Sequence, residues 1–342
     1  MINLRWLIAH TPDYLFIRTA EAFQEELDKR CPNQFNIEIL TMGKYIKKYG
    51  DIPELLYQPA PSGLELADGE QISDLDGNYL EVPWHKIKTK WQAMFKGLKE
   101  QKFHISQTQV TVIGGHLWKR FSLLDLPFLF KDHDHVTRAL DGDIGKNLRT
   151  ELGEVTGIKS LAFTYSGGYR IIGSNHVINN LSDMKDEYLQ TVPTTTKMFE
   201  KVGVDARSKM AMDIKDTNDA VANNGAIETT YLRFNGTNIL KTNHSMFLTS
   251  ILMGEELFNE LTPEQRIAFE ESAFAVGKIE RKWSLEDCEK YEREAIENGV
   301  DIRDATSEDI DTLKESSHAA LDAALIRDPA SAGLYNEIKN IA

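Results

Sequence analysis

The chain has 342 residues, of which 41% are hydrophobic and 27% charged, with 53 acidic and 39 basic residues. This length allows about two domains of roughly 150 residues each, and the composition is that of an ordinary globular protein. The formal charge of −14 argues against nonspecific nucleic-acid binding and against an anionic membrane surface, since both depend on Lys and Arg. The stretch from Glu255 to Glu315 holds 19 acidic and 8 basic residues, so residues 1–254 are almost neutral.

The chain shows no secretory or membrane-spanning segment. The residues after Met1 lack the charged and apolar regions of a secretory signal, and no run approaches the roughly 18 apolar residues of a membrane span. We therefore expect either a cytoplasmic protein or a chain from which a signal peptide has been removed. Cys31 and Cys288 are too few for a disulfide framework and match no zinc motif, so two unpaired thiols are expected. A single bridge between them would require an oxidising compartment.

The first 40 residues have the pattern of a strand, a helix and a second strand. Leu4, Trp6 and Ile8 alternate along the first predicted strand. A helix follows and ends before Pro32, which prevents its continuation, and residues 36–40 form the second strand. This β-α-β opening favours a parallel sheet with helices on its faces.

The middle of the chain is less regular. Residues 47–85 hold four of the ten prolines and a turn signal at Asp76-Gly77-Asn78, which predicts an ordered insertion with a small hairpin. The later elements are predicted in this order: a helix at 91–98, a strand at 103–106, a crossing segment at 124–130, a helix capped by Asp132 or Asp134 and running to about Leu152, a strand at 157–163 and a loop at 165–170.

The C-terminal third is predicted to be mainly helical. Thr262 and Gln265 have the spacing of a capping box, with Pro263 at the first helical position. Apolar residues continue at helical spacing as far as Gly299, where the helix is expected to end. If Gly277 does not break it, this helix is about 50 Å long at 1.5 Å per residue and can tie two domains together.

The motifs of common enzyme classes are missing from the sequence. It contains no GxGxxG, no P-loop and no HExxH, and residues 164–168 lack the first glycine of a nucleophile elbow. Asp132-His133-Asp134-His135 is the densest group of metal-ligand residue types, but helix capping accounts for its two acids. We therefore expect no enzymatic activity, no metal and no cofactor.

His10 and Arg170 are the candidate ligand-binding residues. Each is predicted to lie in a loop after a strand, where ligands gather in α/β sheets. The guanidinium of arginine is planar and permanently charged, which suits a carboxylate. A surface or interdomain ion pair is the alternative interpretation of Arg170, with nearly equal weight. Because no catalytic group of residues accompanies them, binding without chemistry is favoured.

Several short segments occur in an order that is typical of one family. They are Ala20-Glu21-Ala22-Phe23, Asp125-Leu126-Pro127-Phe128-Leu129-Phe130, Gly145-Lys146-Asn147-Leu148, Gly168-Tyr169-Arg170 with Ser174-Asn175 behind it, Val192-Pro193, Thr242-Asn243-His244 and Leu261-Thr262-Pro263-Glu264. With these segments the chain resembles the solute-binding proteins of TRAP (tripartite ATP-independent periplasmic) transporters, of the C4-dicarboxylate and sialic-acid-binding type. The resemblance covers most of the chain except about 47–85.

The resemblance implies an α/β, two-lobed periplasmic-binding-protein-like fold with hinge strands and a long C-terminal helix spanning both lobes. Lobe 1 is expected at 1–167 plus about 249–288, with an insertion at about 47–85, and lobe 2 at 168–248 plus about 289–342. The resemblance also implies a periplasmic protein without a cofactor. Its small solute, an organic acid, sugar acid or aromatic acid, would bind between the lobes and pass to TRAP membrane permease subunits.

The resemblance also implies a set of ligand-binding residues. Arg170 matches the arginine of the family's Gly-x-Arg motif, which approaches the bound carboxylate. The family's second arginine, just before the Val-Pro pair, is replaced here by Gln190 or Thr191. Arg233 is either a substitute cation or a solvent-facing residue. The expected ligand-binding residues are Ala9, His10, Gln109, Tyr169, Arg170, Gln190, Thr191, Tyr231, Leu232 and Arg233.

Two other functions stay open at this point. The missing family arginine leaves room for a sensor or scaffold protein of the same fold that binds a non-carboxylate ligand. An enzyme with His10 as its base has only that single histidine in its favour.

Overall fold

The chain forms an α/β molecule around one central sheet. The computed structural model describes residues 1–10, 13–56, 83–87, 89–186, 188–207, 221–223, 225–234 and 237–341. The hairpin turn predicted at 76–78 and most of the predicted insertion lie outside the described residues.

The central sheet contains nine strands within the described residues. They are β1 (Ile2–Ile8), β2 (Phe35–Thr41), β3 (Ile105–Gln109), β4 (Ile158–Ser174), β5 (Tyr188–Gln190), β6 (Asp205–Arg207), β7 (Val221–Asn223), β8 (Asn238–Gly254) and β9 (Asp301–Asp304). Their order across the sheet is β2-β1-β3-β8-β4-β7-β5-β6, and β9 pairs with β8.

Helices cover the faces of this sheet. They are α1 (Asp13–Arg30), α2 (Met42–Tyr49), α3 (Lys90–Lys99), α4 (Val110–His116), α5 (His133–Asp141), α6 (Asp143–Thr156), α7 (Pro193–Lys201), α8 (Ile227–Thr229), α9 (Glu255–Glu260), α10 (Pro263–Glu297), α11 (Ser307–Arg327) and α12 (Ser331–Lys339). A 3-10 helix at Lys119–Asp125 leads into the predicted crossing segment. Within the described residues, no helix combines the length and apolar character needed to cross a bilayer.

The predicted β-α-β opening is confirmed. β1 and β2 pair in parallel over their full length, and α1 connects them. Buried aromatic rings hold α1 and α10 against this end of the sheet: Phe23 lies 5.3 Å from Trp6 and 5.5 Å from Phe269, measured between ring centroids. Such edge-to-face pairs add to the stabilisation from burying the rings.

Two long antiparallel strands, β4 and β8, connect the two halves of the sheet. Each has 17 residues. The second half of β8 pairs with β3, while its first half pairs with β9. The last residues of β4 pair with β7 on the far side. Both strands therefore run from one half of the sheet into the other, as the hinge strands of a two-lobed protein do. The residue boundaries of the two lobes stay a prediction.

The long C-terminal helix is confirmed. α10 has 35 residues, about 52 Å at 1.5 Å per residue, and both hydrogen bonds of the predicted capping box at Thr262 are present. Gly277 does not break the helix. It lies so close to β4 that a Cβ at this position would be 3.1 Å from the backbone oxygen of Phe163.

Two predicted elements are wrong. The helix expected from 132 to about Leu152 is two helices, α5 and α6, because Gly142 between them has an extended conformation. The loop expected at 165–170 is part of β4. Within this strand Gly167 and Gly168 take positive φ angles of 88° and 72°, which glycine adopts with little strain, so the two glycines form an irregularity of the strand and not a loop.

The two cysteines are unpaired thiols, as the simpler prediction has it. Cys31 is buried after the end of α1, whereas Cys288 lies on α10 and donates a hydrogen bond to the backbone oxygen of Gly167. Cys288 therefore contributes to packing between α10 and β4.

Candidate functional site

Arg170 lies on β4 directly after an irregularity in the pairing of this strand with β8. Tyr165 pairs with Leu248 and Tyr169 with Met246, so a four-residue step on β4 faces a two-residue step on β8. The extra residues form a bulge, defined here as residues 165–169. A bulge re-aims the side chains that follow it. Arg170 is only 2% exposed, so the strand turns its side chain into the molecule.

The guanidinium of Arg170 faces a buried carboxylate. Its Nε donates to Oδ1 of Asp125 at 3.4 Å. Asp125 is fully buried, and its Oδ2 accepts hydrogen bonds from the hydroxyls of Thr111 at 2.8 Å and Thr194 at 2.6 Å. Residues of the 3-10 helix, α4 and α7 thus hold one charged pair in place. A buried pair with additional hydrogen bonds keeps its geometry, since breaking it would leave an uncompensated charge.

Phe247 connects Arg170 to the loop after β1. The centre of the guanidinium lies 3.7 Å from the centroid of the Phe247 ring, a cation–π contact. The ring of His10 lies 5.8 Å from the same phenyl ring and 4.9 Å from Phe16. Nε2 of Gln109, at the end of β3, is 3.4 Å from Nδ1 of His10. The predicted residues His10, Gln109 and Arg170 are therefore brought together around one aromatic ring.

Phe247 and Asp125 contact Arg170 but are not among the predicted ligand-binding residues. Phe247 is one apolar residue in a long central strand, and a buried phenylalanine there has the pattern of an ordinary core residue. No local pattern in the sequence distinguishes it from a core residue.

His244 is a second buried neighbour of Arg170. Burial, together with the charge of Arg170, lowers the pKa of His244 to about 3. Its Nδ1 shares a hydrogen bond of 2.7 Å with the hydroxyl of Thr242, and its ring lies 5.2 Å from Phe199. His244 is therefore neutral near pH 7, and the positive charge at this place comes from Arg170.

The next predicted ligand-binding residues lie on β4 and at the ends of β1 and β5. Ala9 is buried at the end of β1. The hydroxyls of Thr191 and Thr195 lie 2.5 Å apart, just before and within the start of α7, and Gln190 ends the neighbouring strand β5. The ring of Tyr169 contacts His133 at 5.0 Å between centroids. Consecutive strand residues face opposite sides of a sheet, which separates this ring from the guanidinium of the next residue.

The last three predicted residues follow α8. The hydroxyl of Tyr231 accepts a hydrogen bond of 2.9 Å from Asn298, beyond the end of α10, so this tyrosine is directed toward that helix. Leu232 is 46% exposed. The side chain of Arg233 and all of Thr11 lie outside the described residues. Among the described residues, Tyr231 and Leu232 are not seen in contact with Arg170, Phe247 or His10.

The Asp132–His135 segment has the structural role that capping predicts. Oδ1 of Asp132 accepts the backbone N–H of His135 at 2.7 Å, which caps α5. The ring nitrogens of His135 bond to the backbone of Lys131 and Ile338. Among the described residues, no three histidine, cysteine or acidic side chains are grouped so that they could hold a metal ion.

Together, the central hinge strands, the long helix and a buried polar site between strand ends define a two-lobed solute-binding protein. The comparison with protein families agrees. Residues 88–214 and 219–328, more than half of the chain, match the family described as bacterial extracellular solute-binding protein, family 7 (DctP). The chain belongs to this family, that of the TRAP-type solute-binding proteins, which serve transporters and are not enzymes.

The sequence identity to individual relatives is low. The 2,3-diketo-L-gulonate-binding periplasmic protein YiaO of Escherichia coli is 26% identical over 219 residues, 62% of this chain and 66% of that protein. A TRAP periplasmic solute-binding protein of Roseobacter denitrificans, with bound β-D-glucuronate, superposes with a TM-score of 0.75 at 16% identity and covers 100% of both chains. One from Desulfovibrio desulfuricans, with bound sn-glycerol-3-phosphate, gives a TM-score of 0.76 at 12% identity and covers 98% of this chain and 96% of that one. These structural likenesses establish the two-lobed fold.

Proposed function

We propose that this protein is the periplasmic receptor of a TRAP transporter, which binds a small carboxylate-bearing solute between its lobes and delivers it to membrane permease subunits. The observation that supports this most directly is the buried Arg170 beside Phe247, with His10 and Gln109 opposite. An arginine fixed in a site largely closed to water binds a carboxylate more strongly than one in solvent, because fewer water molecules compete for it.

The solute class we propose is a sugar acid. Three of the predicted ligand-binding residues are neutral and polar: Gln109, Gln190 and Thr191 offer amide and hydroxyl groups of the kind that bond sugar hydroxyls. The named relative binds 2,3-diketo-L-gulonate, and one structural neighbour holds β-D-glucuronate. Because Asp125 compensates much of the charge of Arg170, the site suits a solute with one carboxylate better than one with two.

A calorimetric titration tests this function. D-glucuronate, D-galacturonate and 2,3-diketo-L-gulonate are titrated into the protein, with succinate as a dicarboxylate and glucose as an uncharged sugar. We expect saturable binding of at least one sugar acid and at least tenfold weaker binding of glucose, since glucose lacks the carboxylate, which is worth about 1.5–3 kcal/mol. Saturable binding of none of the three acids would exclude the sugar-acid proposal.

Substitution of Arg170 identifies the carboxylate contact. Arg170→Gln should weaken the best sugar acid at least tenfold and leave the weak affinity for glucose unchanged. The matched control is Arg207→Gln, since Arg207 is an exposed arginine whose carboxylate partner is Asp205 on the same strand. If both variants bind the acid as well as the parent protein does, Arg170 is not its carboxylate partner.

The sensor or scaffold alternative rests on the polar residues Gln190 and Thr191 at the place of the family's second arginine. It predicts that glucose or another uncharged polyol binds as tightly as the acids, and that Arg170→Gln leaves that affinity unchanged. The same titrations therefore separate the two functions.

A further inference from the structure

Glu280 is a fully buried acid in the middle of α10. Its Oε2 accepts the backbone N–H of Tyr165 at 2.8 Å. Its Oε1 has no hydrogen-bond partner among the described residues. A charged carboxylate in this place would have only neutral donors beside it, the N–H of Tyr165 and the amide of Gln107, which is unfavourable because burial removes its hydration. A protonated carboxyl group suits this place better.

Gln107 supplies an acceptor for that proton. Its Nε2 donates to the hydroxyl of Thr164 at 2.7 Å and lies 3.3 Å from that of Thr249, so the amide nitrogen is engaged by β4 and β8. Its Oε1 is buried and has no partner in the described part of the chain. The amide lies beside the carboxyl of Glu280, close enough to influence its titration. A proton on Glu280 would allow the two unsatisfied groups to share a hydrogen bond.

The cations near Glu280 are engaged elsewhere. Arg281, the next residue of α10, donates to the backbone oxygen of Phe163 at 2.9 Å and to Asp141 at 2.6 Å. Arg18 of α1 pairs with Asp287 at 2.7 Å. Burial raises the pKa of Glu280 to about 8, although the N–H of Tyr165, both arginines and the amide of Gln107 act in the opposite direction. The phenol of Tyr165, from β4, also has a raised pKa because of burial and is uncharged near neutral pH.

Glu280 bonds to the part of β4 that changes direction between the halves of the sheet. Three side chains of α10 hold the bulge at residues 165–169. Glu280 accepts a hydrogen bond from the N–H of Tyr165, and the hydroxyl of Ser284 accepts one from the N–H of Gly167 at 2.7 Å. The thiol of Cys288 donates a hydrogen bond to the backbone oxygen of Gly167 at 2.7 Å. A hinge motion that changes the angle between the ends of β4 acts on these bonds, because the glycines of the bulge absorb backbone rotation.

We propose that the protonated carboxyl of Glu280 holds the bulge of β4 against α10 in the closed protein, and that loss of this proton favours hinge opening. The proposal rests on the solute-binding function proposed above. Ionisation of a buried carboxyl is favoured when water reaches it, so the open form releases the proton more readily. By linkage, solute binding that closes the hinge takes up a proton, and solute affinity falls as pH rises. A periplasmic receptor near pH 7 would work inside this range.

Amide hydrogen exchange tests the hinge without any solute. The backbone amides of Tyr165 and Gly167 are followed by mass spectrometry from pH 6.5 to 9, with rates corrected for the intrinsic dependence of exchange on pH. In the parent protein, protection of these amides should fall by about tenfold or more across this range. The reason is that each pH unit between the pKa of Glu280 in the open form and its pKa in the closed form changes the opening equilibrium by up to tenfold. In Glu280→Gln, which mimics the protonated acid, protection should stay constant.

Ser284→Ala is the matched control. It removes a neighbouring hydrogen bond to the same bulge without removing a titrating group, so protection should be lower at every pH but keep its fall with pH. Protection that is independent of pH in the parent protein, or that falls equally in Glu280→Gln, would overturn the proposal. If Glu280→Gln does not fold, the ¹³C titration of the Glu280 carboxyl in the parent protein decides. A pKa below 6 in that titration would overturn the proposal.

The coupling to solute is tested by calorimetric titration of D-glucuronate in two buffers of different ionisation enthalpy at pH 7, which measures the protons taken up on binding. Proton uptake on binding in the parent protein and none in Glu280→Gln is the expected result. Binding without proton uptake would overturn the coupling to solute. If D-glucuronate does not bind, the sugar-acid function fails, while the exchange experiment still decides whether Glu280 controls the hinge.

Discussion

At the scale of single residues, the buried charges and histidines explain most of the chemistry of the site. Asp125 compensates Arg170, and His244 remains neutral because burial and the neighbouring guanidinium oppose its protonation. The sequence predicts Arg170, His10 and Gln109 as ligand-binding residues but gives no sign of Asp125 or Phe247. Asp125 and Phe247 are separated from Arg170 by 45 and 77 positions, and single-sequence patterns do not report contacts at such distances.

Two other histidines, the half-buried His104 and the buried His116, can be compared in a stability test. Burial lowers the pKa of both His104 and His116 to about 4. Nδ1 of His104 accepts the backbone N–H of Arg5 at 2.8 Å, whereas neither ring nitrogen of His116 has a hydrogen-bond partner among the described residues. His116 therefore carries the cost of burying polar atoms without the gain of a bond.

We expect His116→Met to keep or raise the free energy of unfolding at pH 7.5, and His104→Met to lower it by about 1–3 kcal/mol, since that change leaves the N–H of Arg5 without its acceptor. A histidine with a lowered folded-state pKa costs stability as pH falls from its unfolded value near 6.5 to about 4, because the unfolded chain binds the proton more tightly. His116→Met should therefore lose less stability than the parent between pH 7.5 and 4.5. Urea denaturation at both values measures this; an equal loss in both proteins would contradict it.

At the scale of elements, local sequence signals predicted the ends of helices better than the course of the long strands. The capping box at Thr262 and the proline after α1 are short-range features, and both helix ends lie where these features predict. The course of β4 through residues 165–170 was predicted wrongly because two consecutive glycines also indicate a loop. The strand continues there because α10 supplies hydrogen-bond partners to the bulge, which no local pattern reveals.

The packing of α10 on β4 gives a prediction for Gly277. A Cβ at this position would lie 3.1 Å from the backbone oxygen of Phe163 and 3.2 Å from the side chain of Ala162, so a large side chain must push the helix from the strand. Gly277→Leu should lower the free energy of unfolding by about 1–3 kcal/mol or more. Gly43→Ala is the control, because Gly43 lies in α2 with nothing within 4 Å of an added Cβ.

Gly43→Ala should raise stability by about 0.5–1 kcal/mol, since alanine loses less backbone entropy in a helix than glycine does. Thermal and urea denaturation of the two variants measure the difference. A Gly277→Leu variant as stable as the parent protein would show that α10 can move from β4 at little cost.

At the scale of the whole molecule, the order of segments predicted the architecture and the family, although no single motif is specific. The acidic charge of the C-terminal region lies mainly on helices, with several acids in exposed pairs such as Lys282–Glu286, and does not describe the site. The contacts that hold one half of the molecule against the other were not predictable, because they join side chains that are far apart in the sequence.

One such contact tests closure itself. The hydroxyl of Tyr14, on α1, donates a hydrogen bond to Oε1 of the buried Glu228 on α8. By the predicted boundaries, α1 belongs to the first lobe and α8 to the second. Tyr14→Phe removes this bond and should shift the ligand-free protein toward the open form, since an intramolecular hydrogen bond contributes about 0.5–1.5 kcal/mol.

Small-angle X-ray scattering of the ligand-free protein should then give a larger radius of gyration for Tyr14→Phe than for the parent protein, because an opened two-lobed molecule is less compact. Tyr49→Phe is the control: the hydroxyl of Tyr49 also donates to a glutamate, Glu38, at 2.6 Å, but α2 and β2 both lie in the predicted first lobe. Its radius should match that of the parent. Equal radii for all three proteins would mean that the Tyr14–Glu228 bond does not hold the lobes together, and that other contacts, such as those of Asp125 with Arg170 and Thr194, keep them in place.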